Sequence, residues 1–193
     1  QREGHNVRTA GVHRARRRHC GAGHSYIGEI MKVWWAKITA TVFYVGYMKP
    51  APGTWGSLAA LPLAWLIYMI GGMWFFLLAI PAAYIKGYYA TKIMTTGSDD
   101  HDPSEIVIDE VVGQWIALAP VIIGASHAGV PITALWPGWI AAFALFRLFD
   151  ITKPGPVGWA DSKDNATGVM LDDVIAGLMA AICVSGLASI WHG

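Results

Sequence analysis

From Met31 onward the chain alternates between long apolar runs and short polar stretches. Residues 33–48 form a first apolar run with Lys37 inside it. Residues 57–70, "SLAALPLAWLIYMI", and 73–90, "MWFFLLAIPAAYIKGYYA", are separated only by Gly71 and Gly72. Three more runs follow at 109–124, 132–149 and 174–191. The last five are candidate membrane helices, several of them shorter than the ~20 residues of a perpendicular span. The Gly-Gly break predicts a helical hairpin over 57–90, since one uninterrupted helix there would be unusually long. The shortness of 57–70 leaves a half-embedded hairpin open. The expected fold is all-α: a polytopic membrane bundle of about five helices, preceded by an N-terminal amphipathic or partly embedded helix.

Composition agrees with the pattern. Hydrophobic residues make up 54% of the chain and charged residues only 14%, with a mean hydropathy of +0.42. Soluble domains carry about 25% charged residues. The ten tryptophans and seven tyrosines suit the interfacial belts of a bilayer. Cys20 and Cys183 lie far apart and offer neither a disulfide framework nor metal-ligand spacing. Residues 1–30 are basic, rich in His and Gly, and lack both apolar periodicity and a signal-peptide core. Met31 opens "MKVWWAKITATVFYVGYMKP", which reads like a natural start. Residues 1–30 are therefore expected to be a disordered extension, from a mis-assigned start or added sequence, and 31–193 the membrane domain. A basic arm touching anionic lipid is the alternative.

Charge placement then orients the bundle. If the five runs cross alternately, segments 31–56, 87–108 and 147–173 share one side. Every Lys, Arg, Asp and Glu after Met31 falls at or near that side, while the connections around Gly71 and "GASHAGVP" carry none. The positive-inside rule makes the charged side cytoplasmic.

Four stretches converge there. In "KPAPGTWGSLAAL", Pro and Gly break the chain, and Thr54 or Ser57 can cap the next helix, leaving an N-terminus suited to phosphate. In "SDDHDPSEIVIDEVVGQ", Asp109 and Glu110 adjoin an apolar run, where an uncompensated charge costs roughly 2.5–3.5 kcal/mol. Gly113 and Gln114 follow, allowing close packing or another polar contact. In "FRLFDITKPGPVGWADSKDN", Arg147, Asp150 and Lys153 recur at helical spacing before Pro154 and Pro156 end the helix. In "ATGVMLDDVIAGLMA", Asp172 and Asp173 stand at the start of the last apolar run, mirroring the first acidic pair.

Oxygen ligands gathered without a Cys or His cluster suit Mg²⁺, and cations beside them suit phosphate. The chain lacks the His–Arg cluster of a histidine phosphatase, an aspartyl-phosphate motif and a P-loop. What remains is metal-assisted phosphate-ester hydrolysis or phosphate transfer at the headgroup plane, with no nucleic acid involved. The rival reading is an ion- or proton-coupled transporter using the cytoplasmic acidic cluster. Against it, the acids sit at helix ends and none lies mid-span, where a transport site belongs. The D-G-x-x-A-R signature of a phosphatidyltransferase is missing.

The motifs "PGTWGSLAALP", "IVIDEVVGQW", "FRLFDITKPGP" and "GVMLDDVIAG", in this order, resemble the phosphatidylglycerophosphatase A family from about Lys49 to Gly177. The resemblance implies a Mg²⁺-dependent lipid phosphatase of the bacterial inner membrane that converts phosphatidylglycerophosphate to phosphatidylglycerol. Carried over by position, Asp109, Glu110, Asp150, Asp172 and Asp173 are expected metal ligands, with Asp161 as a further candidate. Catalysis is expected at Asp109, Glu110 and Asp173, with Glu110 as general base. Phosphate binding is expected at Thr54, Ser57, Arg147 and Lys153, with Gly53 and Gly56 in the same loop. One departure stands out: before the Asp pair the chain reads "NATGVMLDD", keeping Gly168 but putting Ala166 where the family often shows another glycine.

Overall fold

All regular structure among the described residues is helical. The computed structural model describes residues 27–96, 103–163 and 165–192, which belong to two units, Gln1–Trp35 and Ala36–Gly193. In the first unit residues 27–35 are helical. The expected disordered extension thus has four described residues, 27–30, all in helix, and its residues 1–26 lie outside the described part. The second unit opens with helical residues 36–40 and a turn closed by the short helix Val45–Tyr47. Five longer elements follow: α1 (Pro52–Thr95), α2 (Ile108–Ala128), α3 (Trp136–Thr152), α4 (Pro156–Asp161) and α5 (Ala166–His192).

α1 is a hairpin, as the Gly-Gly break predicts. Gly72 takes φ 70°, ψ −166°, a region essentially closed to residues with a Cβ, and the helix breaks there. The two arms, 52–71 and 73–95, return along α2. A Cβ at Gly56 would meet Val107 and one at Gly87 would meet Ile108, so both distant ends of α1 lie at the start of α2. Tyr68, near the break, reaches Ser126 at the far end of α2, with 3.3 Å between the hydroxyl oxygens. Midway, Trp115 donates its indole N–H to the Ala60 carbonyl (2.9 Å) and packs on Phe76. Among the described residues, four helices are long and apolar enough to cross a membrane: Pro52–Thr95, Ile108–Ala128, Ile132–Thr152 and Ala166–Ile190. With the first counted as two arms, the bundle has the five apolar rods the sequence predicts.

α2 is the central rod. In its apolar stretch 56% of residues are buried, against 11–28% in the other three helices. The others turn large apolar side chains outward, among them Trp74, Leu78, Ile140 and Ile182, as helices do when their outer solvent is hydrocarbon.

Two expectations are corrected. The α1 helix begins at Pro52, so Thr54 and Ser57 lie inside its first turns and cap nothing; the Ser57 hydroxyl donates back to the Gly53 carbonyl (2.9 Å). And α5 begins at Ala166, eight residues before the last apolar run. Asn165 starts it: its side-chain oxygen accepts the N–H groups of Thr167 and Gly168, both at 3.0 Å, an N-cap that the preceding polar run concealed. Asp172 and Asp173 therefore sit in the second turn of α5, not at its start.

Candidate active site

The site is assembled where α2 and α5 cross. Both helices carry an aspartate four residues before a glycine, Asp109 before Gly113 and Asp173 before Gly177. A Cβ at Gly177 would run into the Gly113 backbone, and one at Gly113 would come within 2.6 Å of the Asp173 carbonyl. Only glycine permits this approach, the small-residue contact that lets membrane helices touch backbone to backbone. One turn along, it brings Asp173 to Asp109 and Glu110. One carboxylate oxygen from each of the three lies within 4.8 Å of the others. Asp109 and Asp173 are buried and Glu110 is partly so.

Three such charges repel one another. At an effective dielectric of 20, two unit charges 4.8 Å apart cost on the order of 3 kcal/mol. The local hydrogen bonds relieve little of this: Asp109 Oδ1 accepts the Glu110 N–H (3.0 Å) and Asp172 Oδ1 accepts the Asp173 N–H (2.9 Å). Glu110 Oε2 and Asp173 Oδ1 are buried and lack a partner among the described residues. Buried, unsatisfied carboxylate oxygens converging from two helices fit a hard divalent cation.

The cations stand on α3. Arg147 is paired with Asp150 one turn on, and its guanidinium also approaches Ser57 Oγ (3.5 Å) and Thr54 Oγ1 (3.4 Å) on α1. Lys153 ends α3 in the left-handed conformation, φ 45°. From there its ammonium pairs with Asp161 of α4 and lies 3.2 Å from Asp172 Oδ2. Burial works against its charge, but Asp161 and Asp172 overcome that effect and hold its pKa above the usual lysine range. The start of α1 closes the ring: a Cβ at Gly53 would collide with Glu110 Oε1 and lie 3.3 Å from Arg147 Nη1.

These groups line one cavity of about 340 Å³. Of the residues singled out from sequence, Gly53, Asp109, Glu110, Arg147, Asp150, Lys153, Asp172 and Asp173 line it. Thr54 and Ser57 stand behind Arg147 and reach the cavity only through it. The acids divide: Asp109, Glu110 and Asp173 cluster, whereas Asp150 and Asp172 each hold a cation. The sequence reading did not single out Ser104, Ile106 and Ile151, which also line the cavity, or the role of Gly177. The repeated Asp-x-x-x-Gly spacing was the available signal for Gly177.

A family model for phosphatidylglycerophosphatase A matches residues 38–188. The chain belongs to the phosphatidylglycerophosphatase A family. It is thus a membrane-embedded phosphatase of a phospholipid-processing family. Phosphatidylglycerophosphatase A of Haemophilus influenzae is 39% identical over 148 residues, covering 76% of this chain and 85% of its own length. The protein of that name from Escherichia coli is 34% identical, covering 75% and 78%. A Bacteroides thetaiotaomicron protein, provisionally named a phosphatidylinositol-3-phosphatase, is 34% identical, covering 77% and 90%. No solved structure matches the chain. The family match spans the four motifs that build the cavity.

Proposed function

We propose that the protein hydrolyses the terminal phosphate monoester of phosphatidylglycerophosphate to give phosphatidylglycerol, with Mg²⁺ as cofactor. The observation that carries this is the trio Asp109, Glu110 and Asp173, two of whose buried oxygens lack a partner among the described residues, lining one cavity with Arg147 and Lys153. The two relatives named phosphatidylglycerophosphatase A point to the same substrate. The charged end of the bundle faces the cytoplasm: the lysines and arginines after Ala36 fall in the sequence segments that alternating apolar runs put on one side, and the positive-inside rule orients that side.

Asp109, Glu110 and Asp173 would hold a divalent cation, which would polarise a phosphate oxygen and make water a competent nucleophile near neutral pH. The remaining work belongs to side chains. The phosphate competes with Asp150 for Arg147 and with Asp161 and Asp172 for Lys153, so both cations are pre-positioned by carboxylates that the substrate displaces. Thr54 and Ser57 hold the Arg147 guanidinium toward the first turn of α1, whose N-terminal N–H groups favour an anion. Glu110 accepts the proton of the attacking water; the water oxygen bonds to phosphorus as the ester P–O bond breaks, and the leaving alkoxide takes that proton back from Glu110 to become the glycerol hydroxyl.

The test is phosphate release from phosphatidylglycerophosphate by the purified full chain in detergent, with Mg²⁺ and then with EDTA. Release that EDTA abolishes and added Mg²⁺ restores is the expected result. Well-folded protein that releases no phosphate from this lipid overturns the substrate assignment. Release that persists in EDTA overturns the metal.

A further inference from the structure

The cavity is too small for its lipid. About 340 Å³ lies at the low end of small-molecule sites, room for a glycerophosphate headgroup but not for two acyl chains. The chains must leave over some part of the rim. Holding them in water costs about 0.8 kcal/mol per methylene, so an apolar rim facing the bilayer is favoured over an aqueous one.

α3 supplies such a rim. Successive residues turn about 100° around a helix, so Asp150, Arg147, Ile151, Ala144 and Leu148 follow one another around its circumference. Asp150 and Arg147 turn into the cavity. Leu148 and Ala144, with Ile140 deeper along the same face, are exposed on the apolar span Ile132–Thr152. Ile151 lies between the two faces and belongs to both: it lines the cavity, yet 67% of its surface is open. Such a residue marks where the cavity opens sideways. The lining also includes Ala51 and Pro52, both apolar, and Ala51 is exposed.

We propose that the lipid phosphate reaches the site laterally from the bilayer, its glycerol backbone crossing Ile151 and an acyl chain lying along Leu148, Ala144 and Ile140. This rests on the lipid-phosphatase reading and specifies how the substrate is held. Ile151 then selects for a lipid: its contact is with the ester and chain, while Arg147, one turn earlier on the same helix, holds the phosphate.

The experiment places photoreactive benzoylphenylalanine at position 151 of the full chain in nanodiscs of phosphatidylcholine doped with a non-hydrolysable phosphonate analogue of phosphatidylglycerophosphate. Position 182, exposed on α5 and away from the cavity, is the control. The expected result is several-fold enrichment of the phosphonate lipid over phosphatidylcholine in the cross-links at 151, and bulk composition at 182. Equal composition at both positions, or cross-links at 151 only to a second copy of the chain, overturns the lateral route. This readout needs no turnover, so it fails or succeeds separately from phosphate release. In parallel, Ile151→Ser is expected to lower kcat/KM several-fold more for a long-chain lipid phosphate than for its deacylated, water-soluble counterpart. Equal losses on both substrates count against the proposal.

Discussion

Two acidic pairs frame the cavity, and neighbouring structure gives them different work. Asp109–Glu110 and Asp172–Asp173 share a local device: the first carboxylate accepts the N–H of the second residue. The α2 pair lies in the first turn of its helix, where the dipole favours negative charge. The α5 pair lies a turn deeper, where that effect has faded. There the compensating charge comes from outside, because the left-handed residue Lys153 delivers its ammonium to Asp172. Both members of the α2 pair therefore join the carboxylate cluster, but only Asp173 of the α5 pair does. A shared dipeptide pattern does not imply a shared role; the cation brought by α3 decides.

The largest effect should follow from removing the oxygens that lack partners. Glu110→Gln and Asp173→Asn are expected to lower kcat/KM by more than about a hundredfold, since even outer-shell partners of a metal site are worth roughly 10–100-fold. Neither should lower the unfolding midpoint, because each removes one of three mutually repelling charges. Phosphate release and thermal unfolding in detergent check both halves. Asp172→Asn should be milder, about tenfold, because it removes one of the two carboxylates that hold Lys153 and leaves the cluster intact. A loss equal to that of Asp173→Asn would erase the distinction between the two members of the pair.

Next comes the crossing that joins the pairs. Gly177→Ala drives a methyl group into the Gly113 backbone, and overpacking of this kind destabilises by about 1–3 kcal/mol. The Mg²⁺ concentration giving half-maximal activity should rise with it. Gly186→Ala on the same helix meets nothing within 4 Å and should be neutral or slightly stabilising. Equal unfolding midpoints for the two variants would show that the close approach does not matter. The smallest effect concerns pH. The Lys153 pKa is raised above its unfolded value of about 10.4, so its pairs contribute fully below that pH and are lost only as pH rises through the raised value. The difference in unfolding midpoint between the natural chain and Lys153→Met should stay constant from about pH 7 to about pH 9.

The apolar runs, the break at Gly71–Gly72 and the one-sided charges were legible in the sequence because each is local. Run length sets whether a helix can span a bilayer, and a residue without a Cβ can turn where others cannot. The same locality marked seven ionisable cavity-lining residues before any fold was known, since ionisable groups beside apolar runs need a reason to be there. It failed at the start of α5, where the capping Asn165 sits in a polar run that reads as a loop. It also failed at Thr54 and Ser57, whose hydroxyls look like caps but lie inside the first turns of α1. Which three of the five acids share a site was decided only in three dimensions. Distances between side chains on different helices depend on how the helices cross, and here the crossing depends on two glycines 64 residues apart, Gly113 and Gly177.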